Sequence, residues 1–470
     1  MKKNIAKVGV KVLSIVMITI FLLFSFSNYF RPNKLARPSD MTSKIDGFYE
    51  LEENSMDVIL FGTSHMFYSF NPSILWKNTG LNSYIFAGEC QQIEITLQFM
   101  KEAIRTQNPS LIVLDVFGLS NSIESCRTEG SSKVNTEDLK LNRNKIDAIE
   151  TYDDEVGKNV FDIYKYHNRL FSMQQKDFEN ALLKFDNTNF GYALAYPYNQ
   201  YDSDYVYVEN NQIIEPDEAK LNALNEIIEL CKGNQIELLL VKTPYYASED
   251  DAQIYKYIEN YALDKDIPYV NFNQMYDEIN YHFDYDGSTW HANVIGALKI
   301  TNYLSDYIVS NYEFTNSNQM YDKEYNELYI KTEYALLNKI TDIKDWYDLA
   351  REIDATVIIN YKVSNGIWLP EERINVLKEL GLDFDKLDQN QLIILSEEKE
   401  SLLSYDYQEY KKIINEHEVI VNSEGELMID DVVMNSPEAD ITISVIDNSS
   451  GYLIDTFSLV TQGDTYILRK

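Results

Sequence analysis

Five short apolar runs alternate with helical segments between residues 57 and 312, and this alternation limits the possible folds more than any other feature of the chain. The runs are DVILFG (57–62), YIFAGE (84–89), LIVLDVFG (111–118), IELLLVKTP (236–244) and IPYVNFN (267–273). Between the second and third runs, apolar residues recur at helical spacing, at Ile93, Leu97, Met100 and Ile104. Strands that alternate with helices form a parallel sheet covered on both faces. The sequence therefore predicts a three-layer α/β domain built on a parallel sheet.

The chain is too long for a single domain. Its 470 residues exceed the usual domain size of roughly 100–200 residues, so we expect two domains. The α/β domain is predicted over 56–314. A smaller α+β domain is predicted over 315–470, because helical segments there surround ATVIINYKV and short alternating strands follow residue 418. The turn DNSSG between the last two of these strands is typical of a hairpin loop.

The N-terminus predicts a membrane anchor. Lysines precede an apolar run, Val12–Phe30, that would rise about 28 Å as a helix, close to the thickness of a bilayer's hydrocarbon core. A cleaved signal peptide is the alternative, since SFS could serve as its cleavage site, but the length of the run favours an uncleaved anchor. We expect a cytoplasmic tail over 1–11, a transmembrane helix over 12–30 and a linker over 31–55, with the bulk of the chain extracellular. Basic residues balance on the two sides of the run, so their count does not set its orientation.

Charge and cysteine content exclude two kinds of site. The formal net charge of −34 argues against a nucleic-acid partner, because binding phosphates requires clustered Lys and Arg. The cysteines, Cys90, Cys126 and Cys231, are widely spaced and odd in number. We therefore expect three structural thiols, without a disulfide framework or a zinc site. The sequence predicts no metal and no cofactor.

One serine and one histidine occupy positions that a parallel sheet would bring together. The first apolar run ends in Gly-Thr-Ser-His, which places Ser64 at the carboxyl end of a core strand, where ligands bind in such sheets. Among the five histidines, His291 follows the last predicted strand and should lie on the same rim of the sheet. His65 adjoins Ser64 in the chain, and its side chain is expected to point elsewhere.

A serine nucleophile needs a base and an orienting acid. Asp286 precedes His291 by a few positions and is the preferred acid, with Asp284 as the second choice. The structural alternative is a hydroxyl-capped turn at Ser64 and a helix-capping loop around His291, with Asn293 as the cap.

The order of these residues resembles that of the SGNH (GDSL-like) esterase family, which implies an SGNH-like, flavodoxin-like arrangement of the parallel sheet. FGTSH looks like the first block of the family, with Ser64 as the nucleophile, and Gly88 in IFAGE resembles the glycine of the second block. DGSTWHAN resembles the closing block of acid and histidine, which implies that His291 is the base. The resemblance also implies an oxyanion hole formed by the backbone N–H groups of Ser64 and Gly88.

Two positions depart from the family pattern. The residue three before His291 is Ser288, and Asp286 lies five before it. After the third strand, VLDVFGLSN contains Asp115 and Asn121 but no Gly-x-Asn, so Asn121 is only a candidate polar support. An oxyanion hole that lacks a donor loses roughly 10²–10³ in rate, which puts the catalytic power of such a site in question.

A membrane-anchored branch of the family is the more similar group. GTSHMFYSFNPSILWKNTGLNSYIFAG, PSLIVLDVFG, YKYHNRL and FGYAL resemble segments of proteins of alginate acetylation and of teichoic-acid D-alanyl transfer. This resemblance implies an anchored extracellular serine acyltransferase or esterase that acts on O-acetyl groups of a cell-surface polysaccharide, with a membrane-bound O-acyltransferase as partner. A non-catalytic scaffold or glycan-binding protein of the same fold is the alternative. The C-terminal ADITISVIDNSSGYLIDTFSLVT is faintly similar to the interleukin-like EMT inducer domain, which implies a carbohydrate- or partner-binding role.

Overall fold

The computed structural model describes most of the chain, in two compact units. The described residues are 2–27, 29, 41–126, 128–160, 162–175, 177–178, 189–194, 212–275, 284, 291–314, 319–338, 340, 343–350, 353–362, 374–375, 377–378, 381–395, 401–435, 439–462 and 465–469. The main division between the units falls between Tyr325 and Asn326.

A five-stranded parallel sheet forms the centre of the first unit. Its strands are β1 Val58–Phe61, β2 Ser83–Ile85, β3 Leu111–Asp115, β4 Glu237–Lys242 and β5 Tyr269–Asn271. They lie in the order β2-β1-β3-β4-β5, and every neighbouring pair is parallel. Strands β1 and β3 are buried along their whole length, which is why the sequence shows them as unbroken apolar runs. The predicted parallel α/β sheet is confirmed, and its strand order is the flavodoxin-like one.

Helices precede, connect and follow these strands. In chain order they are α1 Lys2–Ser27, α2 Met41–Glu50, α3 Ser64–Ser69, α4 Pro72–Thr79, α5 Ile93–Ala103, α6 Ser122–Cys126, α7 Glu129–Glu137, α8 Arg143–Glu150, α9 Val156–Val160, α10 Asp162–Lys165, α11 Glu218–Gly233, α12 Glu249–Asp264 and α13 Val294–Asn311. Two strands end earlier than the sequence predicts. The chain leaves β2 after Ile85, and β3 gives way to a 3₁₀ helix, Val116–Leu119, because the Asp115 carboxylate accepts the N–H of Phe117 and caps it.

The structure describes part of the predicted anchor and part of the predicted linker. Among the residues that the structure describes, no helix is both long and apolar enough to cross a membrane. The predicted span over 12–30 extends past the end of α1, and residues 28 and 30 lie outside the described part of the chain. The predicted linker is helical over Met41–Glu50, and Phe48 stacks on Phe86 at 4.2 Å between ring centroids. This part of the linker is therefore folded into the first unit, because Ile45 and Phe48 form a short apolar stripe that is buried.

Two antiparallel sheets form the second unit. Helices α14 Asp322–Asn338 and α15 Ile343–Ala350 precede its strands. The strands are β6 Ala355–Tyr361, β7 Gln391–Leu395, β8 Ser401–Tyr405, β9 Glu409–Ile414, β10 His417–Asn422, β11 Leu427–Ile429, β12 Val432–Val433, β13 Ile441–Asp447, β14 Leu453–Gln462 and β15 Thr465–Arg469. They form a six-stranded sheet, β15-β14-β13-β6-β7-β8, and a four-stranded sheet, β12-β11-β10-β9. Apolar side chains of both sheets, among them Ile358, Leu392 and Val419, share one buried cluster. The DNSSG turn joins the antiparallel pair β13 and β14, as a hairpin loop does.

Candidate active site

Ser64 stands at the carboxyl end of β1 as the first residue of α3. Gly62 makes the turn between the two elements at a φ of +149°, a conformation that residues with a side chain rarely adopt, and a Cβ at this position would lie 2.7 Å from the Cβ of Asp115. Thr63 caps α3, since its hydroxyl accepts the N–H of His65 at 3.3 Å. The Gly-Thr-Ser-His sequence therefore folds as a capped turn, and this turn also presents Ser64 at the rim of the sheet.

His291 lies against Ser64. Its Nε2 atom is 2.9 Å from the Ser64 hydroxyl oxygen, although 227 positions separate the two residues. His291 precedes α13, whose first turn is capped by the Asn293 side chain through the N–H groups of Ile295 and Gly296 at 2.9 and 3.0 Å. The helix-capping loop that the sequence offered as an alternative is therefore present, and the same loop brings His291 to Ser64.

The structure describes only one of the two candidate acids. Asp286 lies outside the described residues. Asp284 is buried, and both of its carboxylate oxygens accept hydrogen bonds from Lys299 Nζ at 3.0 Å. Its carbonyl oxygen accepts the N–H of Asn293 at 2.8 Å. Asp284 therefore fastens the segment before His291 to the start of α13.

One of the two predicted oxyanion donors, the N–H of Gly88, has another partner in this structure. The Gly88 N–H donates to the Gly62 carbonyl at 3.2 Å, so this donor is already engaged rather than directed at an oxyanion. A Cβ at Gly88 would lie 2.4 Å from Asn135 Oδ1, so the Asn135 side chain would have to move to admit one. The candidate polar support, Asn121, is exposed, and its N–H donates to Asp251 Oδ1 at 2.9 Å.

A cavity of about 340 Å³ opens beside the Ser64–His291 pair. Its walls combine aromatic rings, hydroxyl groups, one carboxylate and two cysteines. The lining residues are Ser64, His65, Phe67, Tyr68, Glu89, Cys90, Phe117, Ser122, Ser125, Cys126 and His291. The His291 ring packs against that of Tyr68 at 4.6 Å between centroids, which limits its rotation.

Two of the three cysteines form a disulfide in the wall of this cavity. Cys90 and Cys126 are bonded, with their Cα atoms 5.8 Å apart, so the prediction of three structural thiols is wrong for this pair. Cys90 follows β2 and Cys126 follows β3, and these two strands flank β1. The fold thus brings together two positions that lie 36 residues apart, which spacing alone does not reveal. Cys231 is a buried free thiol, and burial raises its pKa to about 12.

His65 is buried in the cavity wall, although the sequence suggested that its side chain would point elsewhere. Its ring stacks on Phe117 at 4.1 Å and lies edge-on to the His291 ring at 5.4 Å. Burial first, and then the nearby charges of His291 and Lys242, hold the pKa of His65 well below 6.5. The His65 ring is therefore neutral at pH 7 and does not repel a protonated His291.

A buried polar cluster, formed by Asp115, Thr63, Thr243, Lys242 and Asn273, lies beneath the turn at Ser64. The Asp115 carboxylate accepts the hydroxyl groups of Thr63 and Thr243 at 3.3 and 3.0 Å. Lys242 donates to the Thr243 carbonyl and to the Asn273 side chain. Burial raises the pKa of Asp115 and lowers that of Lys242 well below its usual range, while the attraction between the two charges opposes both shifts. Sequence reasoning missed this cluster, although a charged residue ends each of the apolar strands β3 and β4.

Comparison with known proteins adds two distant structural neighbours. No family model and no curated protein matches the sequence. A GDSL-like lipase from Bacteroides thetaiotaomicron VPI-5482 is 12% identical, with 59% of this chain and 100% of that chain covered and a TM-score of 0.30. A proposed acylhydrolase from Bacteroides fragilis NCTC 9343 is also 12% identical, with 60% of this chain and 99% of that chain covered and a TM-score of 0.29. The function of the site is therefore inferred from its own geometry.

Proposed function

We propose that this protein is a serine acyl-transferring enzyme, an esterase or O-acyltransferase of SGNH type. The 2.9 Å contact between His291 Nε2 and the Ser64 hydroxyl carries the proposal, because at this distance the imidazole can accept the hydroxyl proton. The pair lies where β1 ends beside β3, which is the point at which sheets of this order bind their ligands.

The proposed reaction has two steps. First, Ser64 Oγ bonds to the acyl carbonyl carbon while its proton moves to His291 Nε2. The bond to the leaving oxygen then breaks, and His291 returns the proton to that oxygen. In the second step, water or an acceptor hydroxyl attacks the acyl carbon of the Ser64 ester and gives its proton to His291. The bond between Ser64 Oγ and the acyl carbon then breaks, and His291 returns the proton to Oγ. Asp286 is the proposed acid that orients the imidazole, and Asp284 holds the loop that carries His291.

An O-acetyl group of a cell-surface polysaccharide is the proposed substrate. The resemblance of residues 56–312 to anchored polymer-modifying proteins supports this choice. The cavity of about 340 Å³ suits a short acyl group, since it lies near the lower end of the range for small-molecule sites, roughly 300–1,000 Å³. The Cys90–Cys126 disulfide fits an oxidising compartment and so supports an extracellular location behind an N-terminal membrane anchor. A membrane-bound O-acyltransferase is the proposed partner, and the second unit is proposed to bind carbohydrate or this partner.

A fluorophosphonate probe tests the nucleophile. The probe should label the full chain, and labelling should vanish in Ser64→Ala, because only a serine activated by a neighbouring base reacts at a useful rate. Ser69→Ala is the matched control, since Ser69 is a buried serine at the other end of α3. It should be labelled like the parent chain. Labelling that persists in Ser64→Ala would contradict the proposal.

A non-catalytic scaffold or glycan-binding protein is the second candidate. It is favoured by the hydrogen bond between the Gly88 N–H and the Gly62 carbonyl, because this bond occupies a donor that catalysis would need. An acetyl donor, supplied with and without oligosaccharide acceptor, distinguishes the possibilities. Acetylated oligosaccharide indicates a transferase and free acetate an esterase, whereas oligosaccharide binding without either product indicates the scaffold.

A further inference from the structure

The Cys90–Cys126 disulfide takes no part in the proton transfer, yet both of its cysteines line the cavity that holds Ser64 and His291. Cys90 belongs to the loop that follows β2, two residues after Gly88. Cys126 is the last residue of α6. The bond therefore joins two walls of the cavity that come from different parts of the fold.

The wall that contains Cys126 is a helix too short to be stable alone. Isolated helices of fewer than about 12 residues are marginal in water, and α6 has five residues. At its start, the Ser122 N–H donates to Asp251 Oδ1 at 3.2 Å, and the Ser122 hydroxyl also bonds to the Asp251 carboxylate. At its end, the disulfide supplies a covalent attachment. Because Ser122 and Ser125 of this helix face the cavity, the position of α6 sets the cavity's width.

The wall that contains Cys90 leads directly to the nucleophile. Cys90 has a φ of +47°, in the left-handed region, and the preceding carbonyl, that of Glu89, accepts Asn135 Nδ2 at 2.9 Å. One residue earlier, the Gly88 N–H donates to the Gly62 carbonyl in the turn that positions Ser64. A displacement of Cys90 would therefore reach that turn through two residues and one hydrogen bond.

We propose that the Cys90–Cys126 disulfide is a positioning element of the active site, an inference that rests on the proposed acyl-transfer function. It holds the Cys90 loop and α6 at the separation at which the cavity binds its acyl group. A dithiol reductant would donate two electrons and two protons, so that the S–S bond breaks, two thiols form and the reductant becomes a cyclic disulfide. After reduction, the parallel sheet keeps its fold because it includes neither cysteine, while the Cys90 loop and α6 lose their fixed separation.

The test compares the full chain in its untreated, dithiothreitol-reduced and reoxidised states. Thiol titration of the denatured chain should give one thiol before reduction and three after it. For each state, kcat and KM are measured with p-nitrophenyl acetate, the rate of fluorophosphonate labelling is measured in parallel, and far-ultraviolet circular dichroism reports whether the helices and the sheet are retained. Cys126→Ala removes the bond genetically. Cys231→Ala is the matched control, because Cys231 is a buried cysteine of α11 that does not line the cavity.

Reduction and Cys126→Ala should each lower kcat/KM by roughly tenfold or more, since a displacement of about 1 Å in a catalytic site can cost 10²-fold. The dichroism spectrum should be unchanged, reoxidation should restore activity, and Cys126→Ala should not respond to dithiothreitol. Cys231→Ala should match the parent chain in activity, labelling and dichroism in every state, and should give no thiol before reduction and two after it.

Equal kcat/KM in the untreated and reduced chains would overturn the proposal. Three thiols in the untreated chain would also overturn it, because the bond would then be absent. Loss of the far-ultraviolet spectrum on reduction would do the same, because the bond would then support the whole fold rather than the site. Failure of the proposed function itself looks different. In that case p-nitrophenyl acetate is not hydrolysed and the probe does not label the chain in any thiol state, with the parent chain indistinguishable from Ser64→Ala.

Discussion

Replacing Gly62 by alanine should both slow the reaction of Ser64 and destabilise the protein. Two effects act at this position. Gly62 has a φ of +149°, and holding a residue with a side chain in that region costs about 1–3 kcal/mol. In addition, the new Cβ would lie 2.7 Å from the Asp115 Cβ, whereas carbon atoms in contact prefer about 3.5–4.0 Å.

The overlap must be relieved by a movement of about 1 Å, and the chain next to Gly62 carries Ser64. A displacement of this size in a catalytic group costs up to about 10²-fold in rate. We therefore expect the rate constant for fluorophosphonate labelling of Ser64 to fall between tenfold and a hundredfold in Gly62→Ala, with a loss of unfolding free energy of about 2 kcal/mol.

Gly80→Ala separates the two effects. Gly80 ends α4 with a φ of +72°, and no atom lies within 4 Å of the position that its Cβ would take. This variant carries backbone strain of about 1 kcal/mol without an overlap. The fluorophosphonate should therefore label its Ser64 at the parent rate. The reasoning would be refuted if Gly62→Ala labelled at the parent rate, or if Gly80→Ala slowed labelling as much.

Three further predictions concern stability and the orienting acid. Burial and the neighbouring Asp447 raise the pKa of Glu333 to about 10 from its usual 4.5, so the folded chain retains a proton that the unfolded chain releases, and stability falls as pH rises between these values. Glu333→Gln should therefore raise the unfolding free energy at pH 7 by up to about 3 kcal/mol, at about 1.4 kcal/mol per pH unit above 4.5. Melting temperatures measured at pH 6 and pH 9 should differ less in this variant than in the parent chain. The pKa of His65 in the folded chain is held well below 6.5, so the unfolded chain binds this proton at a higher pH than the folded chain does. Stability should therefore be lost as pH falls below about 6.5, and the urea midpoints at pH 5 and pH 7 should differ less in His65→Gln than in the parent chain. Asp286→Asn should lower kcat by about 10²–10⁴, as expected for loss of the acid that orients a catalytic imidazole, and more than Asp284→Asn does; steady-state kinetics showing the reverse order would assign that role to Asp284.

The parallel sheet and the meeting of Ser64 with His291 could be predicted from the sequence for one physical reason. Strands buried on both faces read as unbroken apolar runs, and such strands in α/β alternation must run parallel. Their carboxyl ends then share one edge, so residues that follow the first and last strands reach the same edge of the sheet regardless of the 227 positions between them. Asn293 could be predicted as a helix cap because capping depends on residues close in sequence.

The disulfide, the orientation of His65 and the cluster around Lys242 could not be predicted in the same way. Each depends on which strand ends lie next to one another, and that follows from strand order rather than from local pattern. Cys90 and Cys126 meet only because β2 and β3 lie on either side of β1. His65 turns into the cavity because Phe117, from the segment after β3, offers a ring on which it stacks.

The rate at which a fluorophosphonate labels the chain, compared between the parent and His291→Gln and mapped by peptide mass spectrometry, tests most directly whether His291 activates Ser64. The account predicts a single labelled residue, Ser64, and a loss of at least about 10²-fold in the labelling rate of His291→Gln, since general-base assistance contributes roughly 10²–10⁴. Labelling of another residue, or an unchanged rate in His291→Gln, would contradict it.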